Sequence, residues 1–458
     1  MSAADVNGGD YDLIVLGGGA AGLGAARAAV ARGARTLLVS DGEPGGDCTF
    51  TGCVPSKTLI ESARSDTPYD VAARRIREVV AQIAATEDAP ALRSEGIDVD
   101  LGRARFVGSG RVVVDGATYA ARRFVIATGS TPAVPPIPGL AESPYLTNET
   151  VFDEPALPGS LVVLGGGAIG CELAQAFRRL GSEVTLIEAA DRLLPQEEPE
   201  ASQVVAEVFG REGIDVRMST SVVKVGPGLR LSLSGGSVVA AERLLVTVGR
   251  EPCTADLGLD AAGVGVDERG CVRTDRHLAT TARGIYAAGD VAGRLQLTHA
   301  AFAMGRLAAA NALGRVPSTY REDAIPWVTF TDPEVARVGI SEADAPSESR
   351  VAELPMTAVD RALTADATDG FVKLIAGRRR VVGAMGGGKV LGATIVAARA
   401  GELIHEPALA MATGMFTGRL AATTHAYPTW SSAVQLAAAQ FFMTIDGRSA
   451  RTVRRGHR

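Results

Sequence analysis

Two cysteines separated by four residues in a glycine-rich loop are the residues of this chain best suited to chemistry. Cys48 and Cys53 are followed by Pro55, which suits the first turn of a helix. Cys53 should therefore lie near a helix N-terminus, whose partial positive charge favours a thiolate and lowers the thiol pKa from about 8.5. Lys57, one turn further on, adds to this effect. Because a turn at Gly52 can bring the two sulfurs within bonding range, the pair predicts redox chemistry.

A metal site is the competing interpretation of these cysteines. Zinc would need two more ligands, but Cys171, Cys253 and Cys271 are isolated and the five histidines are scattered. We therefore expect no metal site. The three isolated cysteines are expected to be buried structural residues.

An internal duplication supplies the elements that would position a cofactor near the cysteine pair. The segment Asp12–Gly22 reappears without a gap as Ser160–Gly170. Each copy contains an apolar strand, a Gly-x-Gly-x-x-Gly turn, an Ala-rich helix and a second strand, which is Arg35–Ser40 or Glu183–Glu188. The duplicated βαβ unit predicts two nucleotide-binding folds.

The glycines of the two turns are expected to have separate physical roles. The first glycine permits the tight turn, the second lets the backbone approach a pyrophosphate, and the third allows the helix to pack on the strand. The helix N-terminus then receives the phosphate charge. In chain order these residues are Gly17, Gly19 and Gly22 in the first turn and Gly165, Gly167 and Gly170 in the second.

Residues suited to binding a ribose lie at the end of the second strand of each repeat. Glu188 would accept hydrogen bonds from a ribose diol, which favours NADH over NADPH, although Arg192 nearby could meet a 2′-phosphate. Ser40 occupies the equivalent position in the first repeat, and Asp41 follows it. Either residue could hold an adenosine ribose, or both could simply begin the loop.

These features together resemble the flavoprotein disulfide reductases, the family that contains dihydrolipoamide dehydrogenase, glutathione reductase and mercuric reductase. The resemblance covers the chain from Tyr11 to about Phe442, and the pattern Gly-Gly-x-Cys-x-x-x-x-Cys-x-Pro-Ser-Lys is specific to that group. Other segments that resemble family motifs are Val125–Pro132, Val248–Pro252, Ile285–Val291 and Thr329–Glu334. Within these patterns, the resemblance implies cofactor contacts at Gly46, Thr128, Gly129 and Gly249.

The resemblance implies an α/β fold with three domains. Two Rossmann-like domains would bind FAD and NAD(P)H, and a C-terminal α/β domain would form the dimerisation surface of a homodimer. The expected bounds are 1–148 and 271–320 for the FAD-binding domain, 149–270 for the NAD(P)-binding domain and 321–458 for the dimerisation domain.

The resemblance also implies a reaction route. In the family, a hydride passes from the nicotinamide to the flavin, and the reduced flavin opens the disulfide. By position, Cys53 would be the thiolate beside the flavin, and Cys48 would be the interchange thiol that meets the substrate. Lys57 and Glu172 would form an ion pair beside the flavin, although Glu172 could instead be a helix surface charge. Asp290 would hold the ribityl chain of the flavin, cap a helix, or do both.

The C-terminal segment departs from the family pattern. Disulfide-reducing members supply a His–Glu dyad from the partner subunit, but here Tyr427 stands at the catalytic histidine, Ser432 at the glutamate, and His425 matches only a non-catalytic histidine. A tyrosine, with a pKa near 10, is a poor general base, and such catalysis contributes roughly 10²–10⁴-fold. Mercuric reductases also tend to lack this histidine, but they carry a C-terminal cysteine pair, and no cysteine follows Cys271 here.

Length and charge agree with a multidomain enzyme that acts on small molecules. The chain has 458 residues, 46% of them hydrophobic, and its net charge of −6 offers no basic face for nucleic acid. Met1–Asp10 lacks the features of a signal peptide, and no run of about 18 apolar residues occurs. We therefore expect a cytoplasmic protein without nucleic-acid or membrane partners.

Three functional hypotheses follow from these residues. The leading one is an enzyme that passes electrons from NAD(P)H through FAD to Cys48 and Cys53, and on to a small disulfide or another thiol-reactive acceptor. The second is a quinone reductase or diaphorase that uses the flavin directly, in which the cysteines are dispensable. The third is a redox-sensing flavoprotein without significant turnover.

Overall fold

The computed structural model describes residues 11–378 and 387–453. The chain divides into two compact units, each built from segments distant in sequence. Among the described residues, unit 1 comprises 11–135, Leu146–Ala156 and Val248–Tyr320, and unit 2 comprises Pro136–Tyr145, Leu157–Thr247, 321–378 and 387–453. Met1–Asp10, on which the prediction of a cytoplasmic location partly rests, lies outside the described residues.

Strands and helices alternate along most of the chain. Up to residue 135 they are β1 (Tyr11–Leu16), α1 (Ala20–Val30), β2 (Thr36–Ser40), α2 (Gly46–Phe50), α3 (Cys53–Arg64), α4 (Tyr69–Ala84), α5 (Ala89–Ser94), β3 (Asp98–Leu101), β4 (Ala104–Gly108), β5 (Arg111–Val114), β6 (Ala117–Ile126) and β7 (Ser130–Pro132). Up to residue 247 there follow β8 (Tyr145–Leu146), β9 (Ser160–Leu164), α6 (Ala168–Leu180), β10 (Glu183–Ile187), α7 (Pro199–Arg211), β11 (Asp215–Arg217), β12 (Val222–Gly226), β13 (Arg230–Leu233), β14 (Val238–Ala240) and β15 (Arg243–Val246).

The remaining elements complete unit 1 and then form the C-terminal part of unit 2. They are β16 (Arg250–Pro252), α8 (Leu259–Ala262), β17 (Ile285–Ala287), α9 (Thr298–Leu313), β18 (Trp327–Thr329), β19 (Glu334–Gly339), β20 (Arg350–Pro355), α10 (Asp360–Thr364), β21 (Phe371–Gly377), β22 (Lys389–Ala397), α11 (Ala400–Leu403), α12 (His405–Ala412), α13 (Thr417–Ala422), α14 (Ser432–Ala439) and β23 (Arg451–Thr452). Short 3₁₀ turns occur at Val151–Asp153, Asp290–Ala292 and Met356–Ala358.

Unit 1 is built around a mainly parallel sheet. Strands β3, β2, β1 and β6 are neighbours in that order, β17 pairs with β6, and β5 and β4 extend the sheet in antiparallel fashion. Strand β2 is buried along its whole length, as expected for a parallel strand covered on both faces. Helices α1 and α9 approach so closely that a Cβ on Gly305 would lie 1.9 Å from the Ala21 carbonyl oxygen. This contact packs the middle of α9 against the first turn of α1.

Unit 2 contains the second copy of the repeat and an antiparallel sheet. Parallel strands β11, β10, β9 and β15 lie in that order, and α6 follows the glycine turn after β9. The C-terminal sheet has the order β18, β19, β22, β21, β20 and β23. Its core includes Val338, Leu374, Ile395 and Val434. Val434 belongs to α14, so this helix packs on the sheet.

The predicted fold class is confirmed. Two parallel sheets each begin with the strand, glycine turn and helix of the duplicated segment, and an α/β part follows them. The exact domain bounds stay predictions. Within residues 11–378 and 387–453, no helix combines the length and apolarity needed to cross a membrane.

Candidate active site

The two cysteines of the glycine-rich loop lie on consecutive short helices in unit 1. Cys48 belongs to α2, and Cys53 is the first residue of α3, as its neighbour Pro55 predicted. Gly52 makes the connection possible, because a Cβ at this position would lie 2.8 Å from the Asp47 carbonyl oxygen. The Cys48 thiol is hydrogen-bonded to Cys53, so the loop brings the two side chains together.

The electrostatics of the pair distinguish its two members. The hydrogen bond to Cys53 raises the pKa of the Cys48 thiol, and burial and the charge of Cys53 act in the same direction. Cys48 is therefore held as a thiol. Cys53 lies at the N-terminus of α3, where the helix dipole favours negative charge. The arrangement is that of a protonated cysteine beside a cysteine suited to be the thiolate.

Thr298 is a further member of this site that the sequence did not reveal. Its Oγ1 lies 3.3 Å from the Cys53 Sγ, and its hydroxyl acts to lower the pKa of the Cys48 thiol, against the dominant effects. Thr298 is the first residue of α9, so the thiols face the N-termini of both α3 and α9. Neither the residue type nor its spacing from the cysteines gives any sign of this contact in the sequence.

Replacing Thr298 by valine tests the effect of its hydroxyl on the thiolate. A hydrogen bond to a charged group contributes about 1.5–3 kcal/mol, so its loss should raise the pH midpoint of iodoacetamide alkylation by about one to two units. The measurement is the alkylation rate of the reduced protein as a function of pH. The Thr58→Val variant is the control, because the Thr58 hydroxyl donates to the Val54 carbonyl within α3. An unchanged midpoint in Thr298→Val would show that the contact has no influence on thiol ionisation.

The first glycine turn forms an open cradle at the N-terminus of α1. Gly17 has a φ of +111°, and a Cβ there would lie 2.2 Å from the Ala127 carbonyl oxygen. A Cβ on Gly22 would lie only 1.8 Å from the Gly17 carbonyl oxygen, so helix and turn are in contact. At Gly19 the nearest atom to such a Cβ is 3.9 Å away. The space beside Gly19 and the free helix N-terminus fit a pyrophosphate group.

The cysteine loop packs directly on this turn. Gly46 has a φ of +63°, and a Cβ there would lie 2.7 Å from the Gly19 Cα. The Gly45 amide also donates to the Gly18 carbonyl at 2.9 Å. A dinucleotide bound at the turn would therefore lie next to the loop that carries Cys48.

The two ribose candidates of the first repeat differ in their surroundings. Ser40 is buried, and its Oγ would lie 2.4 Å from a Cβ on Gly18, so it faces the glycine turn. Asp41 is exposed and forms an ion pair with Arg103 at 2.8 Å. Ser40 is thus the better placed of the two to meet a ligand at the turn.

Asp290 lies at the start of a 3₁₀ turn in unit 1, where it is largely buried. The Ser130 hydroxyl donates to its Oδ2 at 2.6 Å, and the Arg250 Nε lies 3.6 Å from the same oxygen. Burial nevertheless raises the pKa of the Asp290 carboxyl above its ordinary value. A group with these properties gains from additional hydrogen-bond donors, such as the hydroxyl groups of a ribityl chain.

The segments that carry Thr128, Gly129 and Gly249 are held together by hydrogen bonds within unit 1. The Thr128 hydroxyl donates to the Cys253 carbonyl at 2.6 Å, and the Cys253 amide donates to the Gly129 carbonyl at 3.0 Å. The Gly249 carbonyl accepts from the Ala133 amide at 2.9 Å. These bonds fix the chain where it leaves unit 1 and where it returns.

The second glycine turn, in unit 2, repeats the geometry of the first. Gly165 has a φ of +110°, and a Cβ on Gly170 would lie 1.9 Å from the Gly165 carbonyl oxygen. No atom lies within 4 Å of a Cβ built on Gly167. This turn also fits a pyrophosphate, and its middle glycine faces the open side.

Glu188 is fixed at the end of β10, beside this turn. Its Oε2 accepts from the Gly166 amide at 2.6 Å, and its Oε1 accepts from the Ala190 amide at 2.7 Å. Arg192, the residue that could meet a 2′-phosphate, donates to the Pro195 carbonyl at 2.7 Å and lies 3.7 Å from Asp191. The carboxylate is thus held beside the second glycine turn, while the guanidinium has other partners, and the role of Glu188 in binding a ribose stays a prediction.

Glu172 is not a surface charge, so that alternative from the sequence is wrong. Its side chain is 4% exposed, and its Oε1 accepts a hydrogen bond from the Phe330 amide at 2.8 Å within unit 2. Helix α6 is buried continuously from Gly170 to Phe177, which explains why a charged residue on it is buried. Lys57 lies half-buried on α3. The Lys57–Glu172 ion pair stays a prediction.

Tyr427, in the C-terminal part of unit 2, is 78% exposed. Its hydroxyl donates to the Asp360 Oδ2 at 2.8 Å, and this bond raises the pKa of the tyrosine. His425 pairs instead with Glu406, with its Nε2 3.2 Å from the carboxylate. Ser432 begins α14 and donates to the Thr429 carbonyl. The phenol therefore has a carboxylate partner that its sequence surroundings did not indicate.

The remaining cysteines and the acidic residues give no metal-binding arrangement in the described ranges, 11–378 and 387–453. Cys171 and Cys271 are buried, as expected for structural residues. Cys253 is only half-buried, so the expectation that it is a buried residue is wrong. It follows β16 in the segment where the chain returns to unit 1.

Comparison with known proteins places this geometry in a family. The family description "Pyridine nucleotide-disulphide oxidoreductase" matches residues 11–305, and its "dimerisation domain" description matches residues 325–438. The mercuric reductase of Bacillus cereus is 35% identical over 94% of this chain and 72% of its own length. The dihydrolipoyl dehydrogenase of Thermus scotoductus is 36% identical over 93% of this chain and 96% of its own length.

A solved structure agrees with these relatives. The Cu(II) complex of the HOCl-induced flavoprotein disulfide reductase RclA from Escherichia coli has a TM-score of 0.86 and 29% identity, covering 94% of this chain and 99% of that one. Sequence matches across both family regions and a shared fold lead to one assignment. The chain belongs to the pyridine nucleotide-disulphide oxidoreductases, the family of flavoprotein disulfide reductases.

Proposed function

We propose that this oxidoreductase passes electrons from NADH, through FAD and the Cys48–Cys53 pair, to a small thiol-reactive acceptor. The observation that carries the proposal is the hydrogen-bonded cysteine pair on a loop that packs against the first glycine turn. The family uses FAD and a pyridine nucleotide, and both glycine turns have the shape that a dinucleotide requires. The cysteine pair is thus placed to exchange electrons with a cofactor held at the first turn.

The proposed binding residues fall into two groups. FAD would be held by Gly17, Gly19, Gly22, Ser40, Gly46 and Asp290, with Thr128 and Gly129 supporting the site. The nicotinamide nucleotide would be held by Gly165, Gly167, Gly170 and Glu188. Bound FAD would supply the electron pair, taken from the nicotinamide, that reduces the cysteine disulfide.

The chain's own residues then divide the thiol chemistry between them. Cys53 carries the negative charge of the reduced pair, stabilised by the N-terminus of α3 and by the Thr298 hydroxyl. Cys48 keeps its proton until it attacks the acceptor, because its hydrogen bond to Cys53 and its burial favour the thiol. Cys48 loses its proton to solvent as its sulfur attacks a disulfide, and this attack forms a mixed disulfide and releases one thiolate. Cys53 then attacks the Cys48 sulfur, which releases the second thiolate and forms the Cys48–Cys53 disulfide again.

The Tyr427–Asp360 hydrogen bond restricts the class of acceptor. In the homodimer that we propose on the basis of the dimerisation domain, the segment with Tyr427 would complete the partner subunit's site. Because its hydroxyl donates to Asp360, the phenol offers the substrate an oxygen that accepts but does not donate. We therefore propose acceptors that need little proton transfer, namely disulfides with a stable thiolate leaving group or thiophilic metal ions in the cytoplasm.

The similar proteins agree with the second of these acceptor classes. One relative is a mercuric reductase, and one solved structure is a Cu(II) complex of a flavoprotein disulfide reductase. Hg(II) and Cu(II) both bind thiolates, so a pair of cysteines can hold either ion without a general base. Both ions belong in an acceptor panel for this chain.

The proposal is tested by the oxidation of NADH and NADPH by the purified protein. The panel comprises 5,5′-dithiobis(2-nitrobenzoate), bis(2-hydroxyethyl) disulfide, Hg(II), Cu(II) and menadione. We expect yellow protein and turnover with the aromatic disulfide or a metal ion, with a lower KM for NADH than for NADPH because of Glu188. Turnover with menadione alone would support the quinone reductase hypothesis. No turnover with any acceptor would favour the redox-sensing hypothesis.

Replacing Tyr427 by histidine should broaden the range of disulfides that the protein reduces. An imidazole can protonate a departing alkyl thiolate, and proton transfer of this kind contributes about 10²–10⁴-fold. We expect at least about a tenfold rise in kcat/KM for bis(2-hydroxyethyl) disulfide, with little change for the aromatic disulfide, whose thiolate leaves unaided. Tyr427→Phe is the matched control, since it keeps the ring but adds no acid. Equal effects on both disulfides in Tyr427→His would rule out the proton-transfer explanation.

A further inference from the structure

Arg250 connects the cysteine loop to the proposed flavin site within unit 1. Its side chain is 16% exposed, and it lies at the start of β16. Its Nε donates to the Ser130 Oγ at 2.7 Å, and its Nη2 donates to the Ser130 carbonyl at 2.8 Å and to the Asp47 carboxylate. The Nε and Nη2 donors of the guanidinium are thus engaged, and they are directed at two separate segments.

Asp47 links the Arg250 guanidinium to the loop that carries the two cysteines. It immediately precedes Cys48 on α2, and its Oδ1 accepts from the Thr51 hydroxyl at 3.0 Å. Its carbonyl accepts from the Thr51 amide at 2.9 Å, which closes the turn that separates the two cysteines. The position of the Asp47 carboxylate therefore bears directly on the geometry of the cysteine pair.

Asp290 lies at the flavin end of the same network. Ser130, which accepts from Arg250, donates to the Asp290 Oδ2 at 2.6 Å. Arg250 also lies 3.6 Å from that oxygen, so one guanidinium serves two carboxylates. The other ionisable groups near this network are Glu149 and Cys253, whose pKa values are both raised, first by burial and further by the Asp47 charge. A ligand that changes the hydrogen bonding of Asp290 therefore also changes how strongly Arg250 interacts with Asp47.

We propose that Asp47 and Arg250 are positioning residues that couple occupancy of the flavin site to the redox state of Cys48 and Cys53. The inference rests on the proposed function, because it assumes that the pair alternates between disulfide and dithiol. Coupling between two sites is reciprocal, so flavin affinity must differ between the two redox states if the flavin influences the pair. The network explains how a change at Asp290 reaches the loop without a contact between ligand and Asp47.

The test measures the Kd for FAD of the apoprotein in its disulfide and dithiol forms. For the unmodified chain we expect the two Kd values to differ by about tenfold or more, within the usual range of coupling between sites. Asp47→Asn should reduce this ratio to below about threefold, because it cuts the network at the cysteine loop. Arg250→Gln should weaken FAD binding in both forms and also reduce the ratio. Flavin fluorescence quenching gives the Kd values without any turnover.

Glu95→Gln is the matched control, since it breaks the Arg27–Glu95 ion pair of unit 1, in which Nε and Oε2 are 2.8 Å apart. It should leave the ratio unchanged. If Asp47→Asn fails to fold by circular dichroism, Arg250→Lys provides the same test, because it keeps the charge but loses the fork of donors.

The coupling proposal and the proposed function fail in different ways. A ratio near one in the unmodified chain, or an unaltered ratio in Asp47→Asn, would overturn the coupling proposal. Failure of Cys48 and Cys53 to form a disulfide, detected by mass spectrometry of the oxidised apoprotein, would overturn the proposed function instead.

Discussion

Cys53→Ser is expected to lower NADH-driven reduction of 5,5′-dithiobis(2-nitrobenzoate) by about 10³-fold or more. A serine hydroxyl is not ionised at neutral pH, so the N-terminus of α3 and the Thr298 hydroxyl would have no thiolate to stabilise. Cys48→Ser should cause a loss of similar size, because the pair acts as a unit. For the same reason the double variant should be no worse than either single variant. Steady-state kinetics with this disulfide measure all three losses.

Menadione reduction by the same variants separates the thiol step from the flavin step. Both serine variants should retain their quinone turnover, because a flavin can pass electrons directly to a quinone. Cys271→Ala is the control substitution, since Cys271 is a buried cysteine outside the pair. Disulfide turnover that persists in Cys48→Ser would mean that the acceptor takes electrons without the cysteine pair, and the leading hypothesis would be rejected.

Features that depend on neighbouring residues could be predicted from the sequence. The start of α3 at Cys53 followed from Pro55, and the two glycine turns followed from the strand, the Ala-rich helix and the repeat. A side chain at Gly17 or Gly22 would clash with nearby backbone atoms, so only glycine fits there. This requirement can be recognised directly from the glycine in the sequence. The α/β class follows from these units, which is why it could be predicted.

Contacts between distant segments could not be predicted from the sequence. Thr298 is 245 residues from Cys53, and Arg250 is 203 residues from Asp47. Neither residue type nor spacing marks such partners, because only the packing of α9 and β16 in unit 1 brings them to the loop. The burial of Glu172 is of the same kind, since a carboxylate on a helix is normally exposed and only the surroundings of α6 exclude solvent.

The second large effect is expected from Gly22→Ala in the first nucleotide turn. A Cβ at this position would lie 1.8 Å from the Gly17 carbonyl oxygen, so turn and helix must separate. We expect a loss of about 3 kcal/mol or more in the free energy of unfolding and loss of bound FAD. Chemical denaturation and the flavin absorbance of the purified protein measure the two effects. Gly170→Ala, with a distance of 1.9 Å to the Gly165 carbonyl oxygen, should damage the second turn instead and leave the flavin in place.

Substitutions at two glycines without close neighbours, Gly210 and Gly19, show whether close packing, rather than the loss of a glycine, is responsible. Gly210 lies on α7 with no atom within 4 Å of a Cβ built there, so Gly210→Ala should keep FAD and stabilise the helix by about 0.5–1 kcal/mol. Gly19→Ala should fold normally but bind FAD more weakly, because its methyl group would project toward the space proposed for the pyrophosphate. If Gly19→Ala bound FAD as tightly as the unmodified chain, the pyrophosphate could not lie against this turn. If Gly22→Ala kept both its stability and its flavin, the turn would be more adaptable than its close contact with α1 implies.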